Sequence, residues 1–195
     1  IEQVDWLMYA RVIADMARYP MPGYVAINVS PRHFRAPDFA TRLLDLLDAA
    51  QVEPSRLRIE ITEVALLDDA PRTSESLNML REHGVLAQLD DFGTGFSALS
   101  YLHRFPIASL KIDRSFVSGL DGDVRTESVA VIRAIVALAN SLNIEIIAEG
   151  VETQRQRERL HDLGCTYAQG YLFGRPAPPS AAARRRWCAA SALAT

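Results

Sequence analysis

Six short apolar runs, each followed by a longer stretch with helical spacing, recur from residue 24 onward, and this alternation limits the fold more than any other feature of the chain. The runs are 24–30 (YVAINVS), 57–63 (LRIEITE), 85–90 (VLAQLD), 109–113 (SLKID), 144–149 (IEIIAE) and 166–173 (TYAQGYLF). Helical patterns fall at 38–50, 72–83, 96–103, 125–142, 153–163 and 179–190. The first twenty residues also read as a helix, with Leu7, Ala10, Ile13 and Ala17 on one stripe. Pro71 sits at a first turn, and Thr153 to Gln156 spells a capping box. Strands alternating with helices build a parallel sheet, either open or closed into a barrel.

The faces of the strands choose between the two. Side chains alternate across a strand, so Val25, Ile27 and Val29 lie opposite Ala26, Asn28 and Ser30, while Ile59 and Ile61 lie opposite Arg58, Glu60 and Thr62. Leu110 and Ile112 likewise oppose Lys111 and Asp113. An open sheet covered on both faces should be apolar on both. A barrel can instead aim one face at a shared interior whose C-terminal mouth holds the site. Polar residues collecting late in each strand predict the barrel.

Those strand-end residues are Asn28, Glu60, Asp90, Lys111 with Asp113, Glu149 and Gln169. Carboxylates and a side-chain carbonyl crowded at one mouth repel unless cations neutralise them, and hard divalent cations such as Mg²⁺ or Mn²⁺ take oxygen ligands of this kind. The tract LDDFGTGFS, residues 89–97, adds a second carboxylate. Asp90 can bridge two cations, whereas Asp91 points the other way in an ideal strand and joins only if the strand bends, a bend that Gly93 and Gly95 permit. Two metals roughly 3.5 to 4 Å apart clamp the attacking and leaving oxygens of a phosphoryl displacement. A kinase-like reading of DFG lacks its Gly-rich loop, strand lysine and HRD.

Composition removes other classes. Twenty-one Lys plus Arg against 24 Asp plus Glu give a net charge of −3 on a chain that is 49% hydrophobic, which argues against a disordered tail and a phosphate-coating nucleic-acid binder. Cys165 and Cys188 form no CxxC, and the four histidines no HExxH, so neither zinc nor a disulfide framework is signalled. Cys165 reads as a small buried hydrophobe, the histidines carry no assigned role, and Arg184 to Arg186 read as a solvated helix face. No apolar stretch approaches the roughly 18 residues that span a bilayer, and no leader pattern is seen, so a cytoplasmic domain without membrane contact is expected.

The blocks INVSPRHF, RIEITEVALL, LDDFGTGFSALSYL, LKIDRSFV, IIAEGVET and GCTYAQGYLFGRP occur in this order. Together they closely resemble the EAL-domain family of cyclic di-GMP phosphodiesterases, over residues 1 to 178, with 179–195 as a C-terminal helix or tail. The resemblance implies a modified TIM (β/α)8 barrel that hydrolyses cyclic di-GMP to the linear dinucleotide pGpG with two divalent cations, Mg²⁺ or Mn²⁺. It implies that Asn28, Glu60, Asp90 and Asp91 are metal ligands, that Lys111 holds the attacking water or the phosphate, and that Asp113 supports them. Glu149 stands where the general base or water-orienting glutamate stands, and Gln169 at a ligand contact. Glu63 resembles the glutamate that pins the DDFGTG loop, and Glu152 occupies a matching outer position. The Glu-Ala-Leu signature and the first two strands of the family's barrel are absent from this chain, which opens inside a helix and reads as a piece of something longer. Upstream sensory or GGDEF-type domains are expected in the full protein, with homodimerisation left open. The competing expectation is an inactive receptor that binds cyclic di-GMP without cleaving it, although receptors of this type usually lose several of the ligands present here.

Overall fold

The computed structural model describes residues 2–19, 21–93, 102–121 and 127–182. The predicted helix over 96–103 lies almost wholly outside these residues, as does the tail beyond 182. Helix α1 (Glu2–Arg18) leads to β1 (Val25–Asn28), α2 (Phe39–Ala49), β2 (Leu57–Thr62), α3 (Glu63–Asp68), α4 (Ala70–Glu82) and β3 (Leu86–Phe92). The chain continues with β4 (Ile107–Ile112), α5 (Arg114–Ser118), α6 (Glu127–Leu142), β5 (Glu145–Ala148), α7 (Gln154–Asp162), β6 (Tyr167–Ala168) and α8 (Pro179–Ala182). The strands form one sheet in the order β1-β2-β3-β4-β5-β6, the sequential order that right-handed βα units generate.

The chain divides into two compact units. The first holds α1 to the start of β3 at Gln88, together with residues 102–107 and 177–182. Its pairing is parallel, with Ile27 beside Ile59 and Asn28 beside Glu60. Along β2 the alternation is clean: Leu57, Ile59 and Ile61 are buried, while Arg58, Glu60 and Thr62 are half-buried. Helix α2 buries Phe39, Ala40, Leu43 and Leu47, the stripe a 3.6-residue repeat places on one side. Helix α1 departs from expectation, because its buried residues are Tyr9, Ile13 and Met16, whereas Leu7 is 71% exposed. Ile13 of the expected stripe is buried, and Tyr9 and Met16 take the buried places expected of Leu7 and Ala17.

The second unit holds β3 from Leu89, then residues 108–176. Here β4 pairs with β5 and β5 with β6, all parallel. Helix α6 buries Val129, Ile132, Ile135, Val136 and Ala139. Helix α7 opens with the predicted capping box, Thr153 accepting from the Gln156 N–H and Gln156 accepting from the Thr153 N–H. Asp121 accepts from Gln156 Nε2 at 2.7 Å, tying that cap to the turn Gly119–Asp121 that follows α5. Cys165 is buried, as expected, and burial pushes its thiol up to about 12, which keeps it protonated and inert.

The strand limits shift by up to five residues from the sequence reading, and two of the shifts have a local cause. Glu63 starts α3 instead of ending β2. Strand β6 stops at Ala168 because Gly170 lies against the Val151 backbone, where an added β-carbon would stand 2.2 to 2.7 Å from Val151 N, C and O.

Candidate active site

Backbone hydrogen bonds that continue the ladders past the strand ends place the polar residues. In the first unit the Val29 N–H donates to the Glu60 carbonyl at 2.8 Å, holding Asn28 and Glu60 side by side where β1 and β2 end. Asn28 is exposed and Glu60 half-buried. Glu63 is buried at the head of α3. In the second unit the Glu149 N–H donates to the Ile112 carbonyl at 3.0 Å and the Gln169 N–H to the Ala148 carbonyl at 2.8 Å, so each residue sits one step beyond its strand.

The side chains of the second unit converge. The Lys111 ammonium, buried within β4, lies 3.1 Å from Asp90 Oδ1 and 2.6 Å from Glu149 Oε1. Gln169 Nε2 donates to the same Glu149 oxygen at 2.6 Å. Asp91 has a left-handed backbone, φ 53°, so the bend falls on Asp91 itself; Gly93 follows with φ 96°, and Gly95 lies outside the described residues. Asparagine and aspartate tolerate this region better than most residues. The consequence is that Asp90, Asp91 and Glu149 each bring a carboxylate oxygen within 4.8 Å of the others. Such an all-oxygen donor set fits Mg²⁺ or Mn²⁺ and is foreign to the softer metals.

The electrostatics follow from this crowding. Burial first, then Asp90 and Asp113, raise the Asp91 carboxyl above its ordinary range, against the pull of Lys111. Asp113 behaves in the opposite way. Burial pushes it up, but the Ser115 hydroxyl and N–H, the Arg114 N–H and the Arg114 charge together bring it below the usual carboxylate range. Its carboxylate caps α5, accepting from the Ser115 N–H at 2.9 Å. Glu152 is exposed, and its backbone N–H donates to Gln156 Oε1.

Two residues escaped the sequence reading. His33, given no role, is 2% exposed, with Nε2 2.9 Å from Asp5 Oδ2. Tyr9 donates its hydroxyl to the Asn28 carbonyl at 3.2 Å. Burial foremost, then the Asp5 carboxylate, raises the Tyr9 hydroxyl well above its ordinary value, although the Ser30 N–H facing it favours ionisation. Both interactions join residues far apart in sequence, and no local pattern announces them.

Residues 1–176 match the EAL domain. The chain belongs to the EAL domain family of cyclic di-GMP phosphodiesterases. RocR of Pseudomonas aeruginosa, a cyclic di-GMP phosphodiesterase, is 38% identical to this EAL chain over 181 residues, 91% of this chain and 46% of RocR. The c-di-GMP complex of the PaMucR phosphodiesterase has a similar fold, with a TM-score of 0.85 at 37% identity over 93% of this chain and 80% of that one. A manganese/cy-diGMP complex of Klebsiella pneumoniae BlrP1 gives a TM-score of 0.80 at 32% identity, covering 89% and 44%. The first curated relatives it matches are much longer proteins, of which the EAL chain spans 19–22%. Its fold is α/β with six parallel strands, consistent with part of an EAL TIM barrel.

Proposed function

We propose that this EAL chain is part of an active phosphodiesterase domain that hydrolyses one phosphodiester bond of cyclic di-GMP to give linear pGpG. The observation that carries the reading is the placement of Lys111 between Asp90 and Glu149, with Asp91 turned by its left-handed backbone to join them. Each charge is positioned on a strand end before substrate arrives, as electrostatic preorganisation requires.

Asn28, Glu60, Asp90 and Asp91 would hold two divalent cations, Mg²⁺ or Mn²⁺, which supply charge neutralisation on the phosphate and a more acidic bound water. The residues of the chain do the rest. Glu149 orients the attacking water and takes its proton as the new P–O bond forms and the P–O bond to the ribose breaks; the leaving oxygen is protonated by solvent. Gln169 fixes the Glu149 carboxylate by donating to it, and so selects the oxygen left to face water. Lys111 lowers the cost of two carboxylates at one mouth and presents positive charge to the phosphate. Asp113 acts through α5, whose first turn it caps, and Glu63 and Glu152 support the loops that carry Asp91 and Glu149. The EAL portion covers residues 1–178 and works in the bacterial cytoplasm within a longer protein bearing sensory or GGDEF-type domains, as a monomer or homodimer.

The full-length protein should be assayed for linear product by chromatography with Mg²⁺, Mn²⁺, Ca²⁺ and chelator. Turnover is expected with Mg²⁺ or Mn²⁺ and not with Ca²⁺, whose longer, looser coordination fits an in-line displacement poorly. Binding of cyclic di-GMP without turnover under any cation would make the chain a receptor, and turnover after full chelation would sink the metal-dependent reading.

A further inference from the structure

We infer that Asp121 and Gln156 form a positioning pair for Glu149: the Asp121 carboxylate fixes which way the buried Gln156 amide faces, and that amide holds the far end of the loop that carries Glu149. The inference rests on the reading of Glu149 as the water-orienting group. The loop runs from Glu149, one step past β5, to Thr153, which caps α7. Its first part is held by neighbouring strands, through the Glu149 N–H on the Ile112 carbonyl and the Val151 N–H on the Gln169 carbonyl, both at 3.0 Å. Between these anchors Gly150 has φ 67°. The second part meets a side chain instead, because the Glu152 and Thr153 N–H groups both donate to Gln156 Oε1, at 2.8 and 3.1 Å.

Glutamate closes a capping box at this position as well as glutamine does, and the helix dipole favours the acid. The cap alone therefore does not account for an amide. Asp121 does: a carboxylate only accepts, and Gln156 Nε2 donates to its Oδ2 at 2.7 Å while the Thr153 hydroxyl donates to its Oδ1 at 3.3 Å. With Nε2 so engaged, Oε1 turns to the loop. The reverse orientation would set an NH2 group against two N–H donors and an oxygen against a carboxylate. Gln156 is 3% exposed, and unmet polar groups at such a site are costly. The turn Gly119–Asp121, which follows β4 and α5, thereby reaches the loop that follows β5. Glycine changes backbone region at little steric cost, so releasing the loop beyond Gly150 frees Glu149 to drift from its contacts with Lys111 and Gln169. A misplacement of about 1 Å can cost about 100-fold in rate; with Lys111 and Gln169 still holding the carboxylate, the loss should be nearer to about tenfold.

Gln156→Glu keeps the acceptor for the loop and the cap but sets two carboxylates against each other. In the full-length protein at saturating Mn²⁺, kcat for cyclic di-GMP should fall about tenfold while KM moves less than about twofold. Asp121→Asn alone, whose amide oxygen can still accept from Gln156, should cost less than about threefold. Combined, the two substitutions exchange donor and acceptor across the same contact, and kcat should return to within about twofold of the parent. Hydrogen exchange over residues 150–156, measured without metal or substrate, should quicken in Gln156→Glu and recover in the double variant. Leu160→Val, which loosens the buried side of α7 away from the loop, should lower the Tm and leave kcat unchanged. Full turnover in Gln156→Glu while Glu149→Gln loses it would overturn the positioning role alone. Full turnover in Glu149→Gln would remove the water-orienting reading with it. A double variant no better than Gln156→Glu would strip Asp121 of its part, and an equal loss of kcat in Leu160→Val would reduce Gln156 to a packing residue.

Discussion

The strand ends of the two units carry their polar residues by different means. In the second unit Asp90, Lys111, Glu149 and Gln169 hold one another, side chain to side chain, at 2.6 to 3.1 Å. In the first, Asn28 and Glu60 are set by backbone register, by the Val29 to Glu60 hydrogen bond and by a hydroxyl on the Asn28 carbonyl. A side-chain network stores its charges already compensated and must exchange partners when substrate or cation enters. A ladder aims side chains from the backbone. Substitutions at Lys111, Glu149 and Gln169 should therefore fall on the chemical step, and those at Asn28 and Glu60 on metal affinity.

The largest test of that contrast is Lys111→Met. Removing the Lys111 cation from between Asp90 and Glu149 leaves two carboxylates in mutual repulsion, and turnover should fall at least about 10³-fold. Product formation at saturating Mn²⁺ measures this; a loss below tenfold would mean that the network is ornamental. Gly170→Ala asks whether backbone placement also matters in the second unit. Its β-carbon would meet Val151 at 2.2 to 2.7 Å, and the backbone cannot yield without moving Gln169. The expected cost is about 3 kcal/mol, read by urea unfolding. A neutral result would show that β6 ends where it does for another reason. The smallest effect belongs to Glu60→Gln, which keeps the shape and the ladder. Half-saturation by Mn²⁺ should rise about tenfold with kcat moving less, and an equal fall in kcat would erase the distinction between the units.

The parts of this architecture set by local periodicity were legible in the sequence. Along β2 the alternation of Ile59 and Ile61 with Glu60 gives both strand and facing, and Thr153 with Gln156 gives the start of α7. The strand-end roster came from the same logic: Asn28, Glu60, Asp90 and Lys111 lie in the last residues of β1 to β4, and Asp113, Glu149 and Gln169 one step beyond β4, β5 and β6. What could not be read depends on contacts between distant segments. A bend near Asp91 was legible from the glycines that follow it, but its seat in the left-handed backbone of Asp91 itself was not. Strand β6 looks eight residues long until Val151 is brought against Gly170. His33 gains a partner only when the turn after β1 meets α1, 28 positions earlier.

The buried ammonium of Lys111 has a consequence for how such a protein meets its metal supply. Many small metal-binding domains cannot fold until the ion neutralises their ligands, so ion scarcity removes the protein itself. Here an internal cation already shields Asp90 and Glu149. On the proposed metal-dependent reading, that shielding is expected to let the polypeptide fold before the ion arrives, so that metal supply sets how much of the protein works rather than how much exists.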